Sequence, residues 1–356
     1  MKWWNQLKSS NFIIRLTHWE YWPFAVIYAP AFIYWLYLSI KARSPLFFSA
    51  ANPGIEAGGL AGESKINILR KLPGELIPKT VFVSLGEPSE TVQQKLQGAG
   101  INLPMIAKPN IGSRGFLVRK LLSFEELWRF LSKQRVDFLL QEFIDYPVEV
   151  SILYYRFPNE REGHISSVTL KEYLHVIGDG KSTVLELIKQ KDRAKLQLQA
   201  LVAAQGDLMN RIPGKNEVLE LVPFGNHCRG AAFYNGNHLI DRALIQTFDH
   251  ISHQLDGIYL GRFDIKCEDI DSLRYGEKFK ILEINGVGAE PAHIYDPGYS
   301  LFQAFRDIRK QWSIIYKLSQ FNRRNGIKLM SLKEAYHTFM HIFTYKKFAS
   351  GRLMDR

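Results

Sequence analysis

Between Glu20 and Lys41 the chain carries twenty consecutive uncharged residues, YWPFAVIYAPAFIYWLYLSI. As a helix rising about 1.5 Å per residue this stretch is roughly 30 Å long, the thickness of a bilayer core. Aromatic residues crowd it from Trp19 to Tyr37, and Lys41 and Arg43 follow at once, the pattern of interfacial anchoring. Pro23 and Pro30 oppose one straight helix, because Pro30 removes a backbone donor in mid-segment. Residues 1–50 are therefore read as membrane-associated. Spanning the bilayer and lying kinked within one leaflet both stay open, since positive charge flanks both ends. A buried core helix is the alternative within a folded body. A cleaved signal peptide fits poorly, because the run is long and bulky and charges precede any small-residue cleavage site.

The whole chain is long enough for two or three domains: 356 residues, 46% of them apolar. Two cysteines without C-x-x-C spacing and ten scattered histidines give neither a disulfide framework nor a zinc site, which suits a reducing compartment. The net charge of +11 is local: from Arg306 to Arg356 twelve Lys or Arg stand against three Asp or Glu. These charges are interleaved with aromatics in QWSIIYKLSQFNRR and AYHTFMHIFTYKKF. The spacing predicts two short basic amphipathic helices, suited to anionic membrane lipids or else packed on the body with a solvated basic face. Nucleic acid is not the expected partner.

ANPGIEAGGLAGESK reads as a linker leading into a helix at 64–72. Strands are predicted at 77–83, 103–109, 138–143, 148–156, 164–176, 259–267 and 278–285, and a hairpin around AAFYNGNHLI. Helices are predicted at 89–100, 123–134, 183–189, 192–207 and 241–255. The GDGKST stretch lacks the first glycine of a phosphate-binding P-loop, having His175 there. It is better explained as a tight turn with Ser182 or Thr183 capping the next helix.

Three clusters carry chemistry. Lys108 ends a strand before a loop with Gly112, Ser113 and Gly115, whose backbone N–H groups could close over phosphates. Glu142 ends an apolar strand and Glu149 opens the next, so a carboxylate and a linker backbone stand ready for a ribose and a base edge. Glu283 and Asn285, two apart on one strand, face the same side. With Asp264 on a neighbouring strand they offer oxygen donors alone, the preference of magnesium or manganese. A salt-bridge cluster with Arg262 is the competing explanation.

Taken in order, Lys65, Lys108 with its glycine loop, Glu142, Glu149, Arg262, Asp264, Glu283 and Asn285 resemble the ATP-grasp superfamily over residues 60–305. The closest similarity is to its carboxylate–amine ligases and to the ATP-grasp part of cyanophycin synthetase. The resemblance implies an α+β ATP-grasp fold, two lobes clamping ATP, preceded by the apolar helical segment and followed by the basic helices. It implies a linker and start of the fold at 51–105, a small lobe at 106–150, a large lobe with the metal site at 151–305 and a tail at 306–356. Lys65 and Lys108 would hold ATP phosphates with Gly112, Ser113 and Gly115; Glu142, Phe143 and Ile144 would contact adenine; Glu149 would hold the ribose. Asp264, Glu283 and Asn285 would bind two Mg2+ (or Mn2+) ions.

Arg262 would stabilise the acyl phosphate and tetrahedral intermediate, with Lys108 and Arg229 as further catalytic groups, and backbone N–H groups near Gly286 or Gly288 would complete an oxyanion site. Asn226, Arg229 and Gly230 resemble a phosphate-side loop. The implied activity is ATP-dependent ligation of a carboxylate to an amine through an acyl phosphate. An ATP-grasp kinase and a non-catalytic membrane-attached nucleotide-binding protein are the alternatives. A need for ATP places the enzyme on the cytoplasmic side of the inner (plasma) membrane.

The resemblance lacks the family's separate first domain, which contributes to the substrate site. Its expected replacements are ANPGIEAGGLAGESK and the turn bearing Glu290, His293, Tyr295 and Asp296, and a lipid-linked substrate becomes a reasonable expectation.

Overall fold

The computed structural model describes residues 11–112 and 115–349. Among the described residues eleven strands form three antiparallel sheets. The first has the order β1-β4-β2-β3 and comprises β1 (Thr80–Val83), β2 (Met105–Pro109), β3 (Arg119–Leu121) and β4 (Phe138–Glu142). The second has the order β11-β10-β5-β6-β9, from β5 (Val148–Tyr155), β6 (His164–Glu172), β9 (Ala232–Asn235), β10 (Leu260–Cys267) and β11 (Phe279–Asn285). The small pair β7 (His175–Ile177) and β8 (Val218–Glu220) caps a side cluster. Only the short linker after Glu142 separates the first sheet's β4 from the second sheet's β5. The chain is thus a mixed helix-and-sheet protein with two principal antiparallel sheets.

Alternation of apolar residues explains each sheet's core. Met105, Ala107, Leu121, Phe138 and Leu140 meet helices Ser89–Ala99 and Phe124–Leu131, while Val150, Ile152, Phe263, Ile265 and Ile281 meet helix Arg242–His253. The expected 192–207 helix is instead two pieces, Asp192–Lys195 and Leu198–Gln205. The Asn-Gly signal at 235–236 does not make a hairpin. β9 pairs with β6, and the Asn237 side chain accepts a bond from Val168 N at 2.8 Å, turning the chain away. At GDGKST, Thr183 and Glu186 form a capping box for helix Val184–Gln190.

The amino-terminal apolar run forms one helix, Phe24–Ala42, which continues through Pro30. Ile27, Ala31, Leu38 and Ala42 are buried against the body, whereas Val26, Phe32, Ile33, Tyr37 and Ile40 are exposed. The first tail helix begins earlier than its basic stretch, at Leu301, where Ser300 and Gln303 form a capping box, and runs to Arg324. Its Ile314, Ile315 and Leu318 pack with Leu38, Phe47 and Phe48, so its apolar face belongs to the core. The last helix, Leu332–Ala349, buries Ala335 and Ile342 and leaves Tyr336, Phe339, Met340, Phe343 and Phe348 exposed.

The 52–60 stretch is bound backbone to backbone onto the turn after β11. Val287 N donates to Gly58 O at 3.1 Å and Gly288 N to Gly59 O at 2.8 Å. Asn52, fully buried, accepts from Tyr259 N and Leu260 N and donates to Gly58 O and Leu260 O. A Cβ on Gly59 would lie 2.6 Å from Gly286 Cα, at a φ of +78°. Gly59→Ala is therefore expected to destabilise the protein by about 1–3 kcal/mol in urea unfolding. Gly74→Ala, where nothing lies within 4 Å, is expected to be near neutral.

Candidate functional site

β4 and β5 meet at the linker carrying Phe143 and Ile144, and a cavity of about 950 Å3 opens there between the two sheets. Lys108, Gly112, Gly115, Glu142, Phe143, Ile144, Glu149, Arg262, Asp264, Glu283 and Asn285 all line it. Lys65 reaches the same region by its ion pair to Glu283, while Arg229 is exposed and touches only the rim, donating to Gly115 O at 3.5 Å. Ser113 lies outside the described residues.

The β10–β11 register sets the acidic group. Asp264 is directly opposite Glu283, and Arg262 opposite Asn285. The Asn285 amide donates to Asp264 Oδ2 at 3.1 Å, and Arg262 Nη2 lies 3.4 Å from the same oxygen. Asp264 Oδ1 accepts from the Ser151 hydroxyl and from Lys171 Nζ, the latter at 3.1 Å. Burial opposes the Asp264 charge, but Arg262 and Lys171 overcome it and hold the carboxyl well below the usual range. Lys65 Nζ sits 3.2 Å from Glu283 Oε1 and donates to Gly112 O. The carboxylates are thus paired with Arg262, Lys171 and Lys65, as the salt-bridge explanation expects. Both explanations meet in one place, a salt-bridge cluster built from the proposed donors.

Lys171 has no motif around it and was missed from sequence. It is carried by β6, whose register places it opposite Glu149. Its side chain is 6% exposed and bridges Glu149 Oε1 at 2.9 Å and Asp264. Tyr173 OH donates to Glu149 Oε2 at 2.5 Å, and Gly225 N adds a bond at 3.3 Å. Lys108 is buried and donates to Gln141 Oε1 and Leu282 O, both at 2.9 Å, so it ties the two sheets together. Burial pushes its ammonium down to about 8, against the pull of Glu283. Around the linker, Glu142 Oε2 accepts from Lys79 N at 3.1 Å, and Lys120 Nζ lies 3.6 Å from the Phe143 ring centre.

Two expectations change. The Gly288 N–H is bonded to Gly59 O, and the Val287 N–H to Gly58 O, so these glycines serve close packing and Gly288 offers no oxyanion donor. His293 is 1% exposed and bonded to Ser167, Tyr299 and Asp307, which makes it an internal strut. Glu290 does face the cavity, accepting from Tyr28 OH and, at 2.8 Å, Tyr295 OH.

Oxygen donors alone stand at Asp264, Glu283 and Asn285, a set whose chemistry fits a hard divalent cation. Among the described residues no group of three His, Cys, Asp or Glu side chains is placed to hold a metal ion, so the amide of Asn285 and a bound ligand's oxygens would have to complete it.

No protein-family model matches the chain, and no curated protein sequence does. Solved structures do, among them two ligases and a synthetase. A D-alanine–D-alanine ligase from Bacillus anthracis is 11% identical, over 76% of this chain and 71% of its own, with a TM-score of 0.42. The VanG D-Ala:D-Ser ligase from Enterococcus faecalis is 10% identical over 77% and 62%, with a TM-score of 0.39. A bifunctional glutathione synthetase from Pasteurella multocida is 15% identical over 71% of this chain, at a TM-score of 0.36, and this chain spans 35% of its length. The likeness is too distant to carry a statement about substrate or chemistry.

Proposed function

We propose that this protein is an ATP-grasp enzyme, an ATP-dependent carboxylate–amine ligase working through an acyl phosphate. The observation that carries the reading is the convergence of Lys108, Glu149, Asp264, Glu283 and Asn285 on one cavity at the junction of two antiparallel sheets. In this reading adenine would contact the Phe143–Ile144 linker, the ribose hydroxyls Glu149, and the phosphates Lys108, Lys65 and the glycines Gly112 and Gly115. Asp264, Glu283 and Asn285 would hold a magnesium ion, whose chemistry would be to neutralise charge on the phosphates.

Phosphates arriving at the cavity compete with the carboxylates for Lys65, Lys171 and Arg262. A substrate carboxylate oxygen bonds to the γ-phosphorus as ADP leaves. The amine nitrogen then bonds to the acyl carbon, phosphate departs, and the amine proton is lost. Arg262, already beside the acidic group, offers its guanidinium to the oxyanion.

Phosphate and ADP release is the test. The reading expects release that requires a carboxylate and an amine together, and a hydroxamate when hydroxylamine replaces the amine. Release with the carboxylate alone, leaving a stable phosphorylated product, would favour a kinase, and AMP with pyrophosphate would overturn the acyl-phosphate route.

Lys108 supplies a pH dependence. Its charge, lost as pH rises through about 8 in the free protein, attracts phosphates only while present. MgATP affinity is expected to weaken from pH 7 to 9, and Lys108→Met to bind weakly with that step removed. The charged neighbours facing it are Glu283, Lys65 and Asp264.

For location, we infer that the chain rests on a membrane surface, in keeping with a cytoplasmic-face enzyme. One helix among the described residues, Phe24–Ala42, has the length and composition to cross a bilayer. Its buried Ile27, Ala31 and Leu38, with Trp19 Nε1 bonded to Tyr299 O and Glu20 paired to Arg193 at 2.8 Å, favour lying in the surface plane. The exposed aromatics of this helix and of Leu332–Ala349 would enter the headgroup region. Sedimentation with anionic vesicles checks this, and protein left in the supernatant at low salt would contradict it.

A further inference from the structure

The cavity does not end at the proposed nucleotide site. Its lining also takes in Ile27, Ala31 and Trp35 of the amino-terminal helix, Phe48, and Ile315 and Ile342 of the two carboxy-terminal helices. Its volume of about 950 Å3 is at the upper end of the roughly 300–1,000 Å3 of single small-molecule sites. Phe32 and Phe339 line it too, yet are 57% and 41% exposed. The apolar part of the lining thus includes aromatics that are themselves exposed.

Several carboxylates line the cavity, Glu20 and Glu63 among them, and Glu290 is the one bonded to a side chain of the amino-terminal helix. Glu290 receives the hydroxyls of Tyr28, from the amino-terminal helix, and Tyr295, both on Oε2. It lies near enough to Arg262 to favour that guanidinium's charge after Asp264 has done so, against the effect of burial. A carboxylate at the end of an apolar passage is complementary to a cation whose remaining bulk is hydrocarbon. Tyr28 links the two features, since its ring lines the passage and its hydroxyl orients the acid.

We propose that the acceptor substrate is an amphiphilic primary amine: its ammonium is recognised by Glu290 and its aliphatic chain fills the passage between the Phe24–Ala42 and Leu332–Ala349 helices. This rests on the ligase reading for the word acceptor, while the binding site itself does not. Entry from the exposed apolar face delivers the nitrogen beside Arg262, where the activated carboxylate is formed. Residues that look like a membrane anchor in the sequence then also build the substrate site.

Calorimetric titration of the full chain with butylamine, octylamine, decylamine and dodecylamine, below their micelle concentrations, tests this. Matched alkanoates serve as controls. One saturable site is expected, tightening about three- to fourfold per added methylene over the chain length that fits, with alkanoates at least tenfold weaker. Glu290→Gln is expected to remove the preference for amines and keep the chain-length dependence. Ala31→Trp, which fills the passage, is expected to flatten that dependence. Affinity independent of chain length, or alkanoates binding as tightly as amines, would overturn the proposal. MgATP titrated into the same samples separates the two readings: a flat amine series with MgATP bound sinks this proposal alone, and a chain-length series without MgATP binding sinks the ligase.

Discussion

Changing Asp264→Asn together with Glu283→Gln is expected to remove the advantage that magnesium gives to ATP binding, a loss of at least about a hundredfold in MgATP affinity. Adenosine affinity is expected to change by less than about threefold. The contrast follows from placement. The two acids face each other across β10 and β11, whereas Phe143 and Ile144 belong to the linker between β4 and β5. A hard cation needs the anionic oxygens, and neutral amides bind it weakly. The substitutions also free Lys65 and Arg262 from these acids and leave Lys171 with Glu149 alone, so ATP without magnesium is expected to bind as well as before or better. An unchanged magnesium dependence would leave the cluster a purely structural set of salt bridges.

The second large effect concerns stability. Lys171→Met is expected to cost about 3–5 kcal/mol in urea unfolding, because Glu149 and Asp264 would stay buried with their shared cation gone. Burial alone would lower the Lys171 pKa, and Asp264 and Glu149 reverse that and raise it, which shows how closely the three charges are matched. Lys171→Arg is expected to recover part of the loss. Lys133→Met, on an exposed side chain, is the neutral comparison. A loss below about 1 kcal/mol would mean that water or neighbouring groups satisfy both acids without Lys171.

Much of the site was legible because strand geometry is local. Glu283 and Asn285 share a face by the two-residue period, and Asp264 falls opposite Glu283 once β10 pairs with β11. Lys108 at the end of β2 and Glu149 near the start of β5 were marked by turn-flanked apolar runs. Lys171 was not, since only the β5–β6 register brings it to Glu149. Tyr28 and Glu290 meet across 262 residues, a contact with no local signature. The basic helices show a different limit. An amphipathic pattern gives the apolar face but not what covers it, and in Leu301–Arg324 that face is covered by Leu38, Phe47 and Phe48. The Ser300–Gln303 capping box was present in the sequence and would have placed the true start of that helix. At Asn235-Gly236 a strong turn signal was outweighed by the pairing of β9 with β6.

Titration of the wild-type chain with ATP, with and without magnesium, is the most direct measurement. One nucleotide per chain is predicted, bound more tightly with magnesium and weakening above pH 8. A folded protein that binds no ATP, or binds it identically with and without magnesium, would contradict the account at its centre.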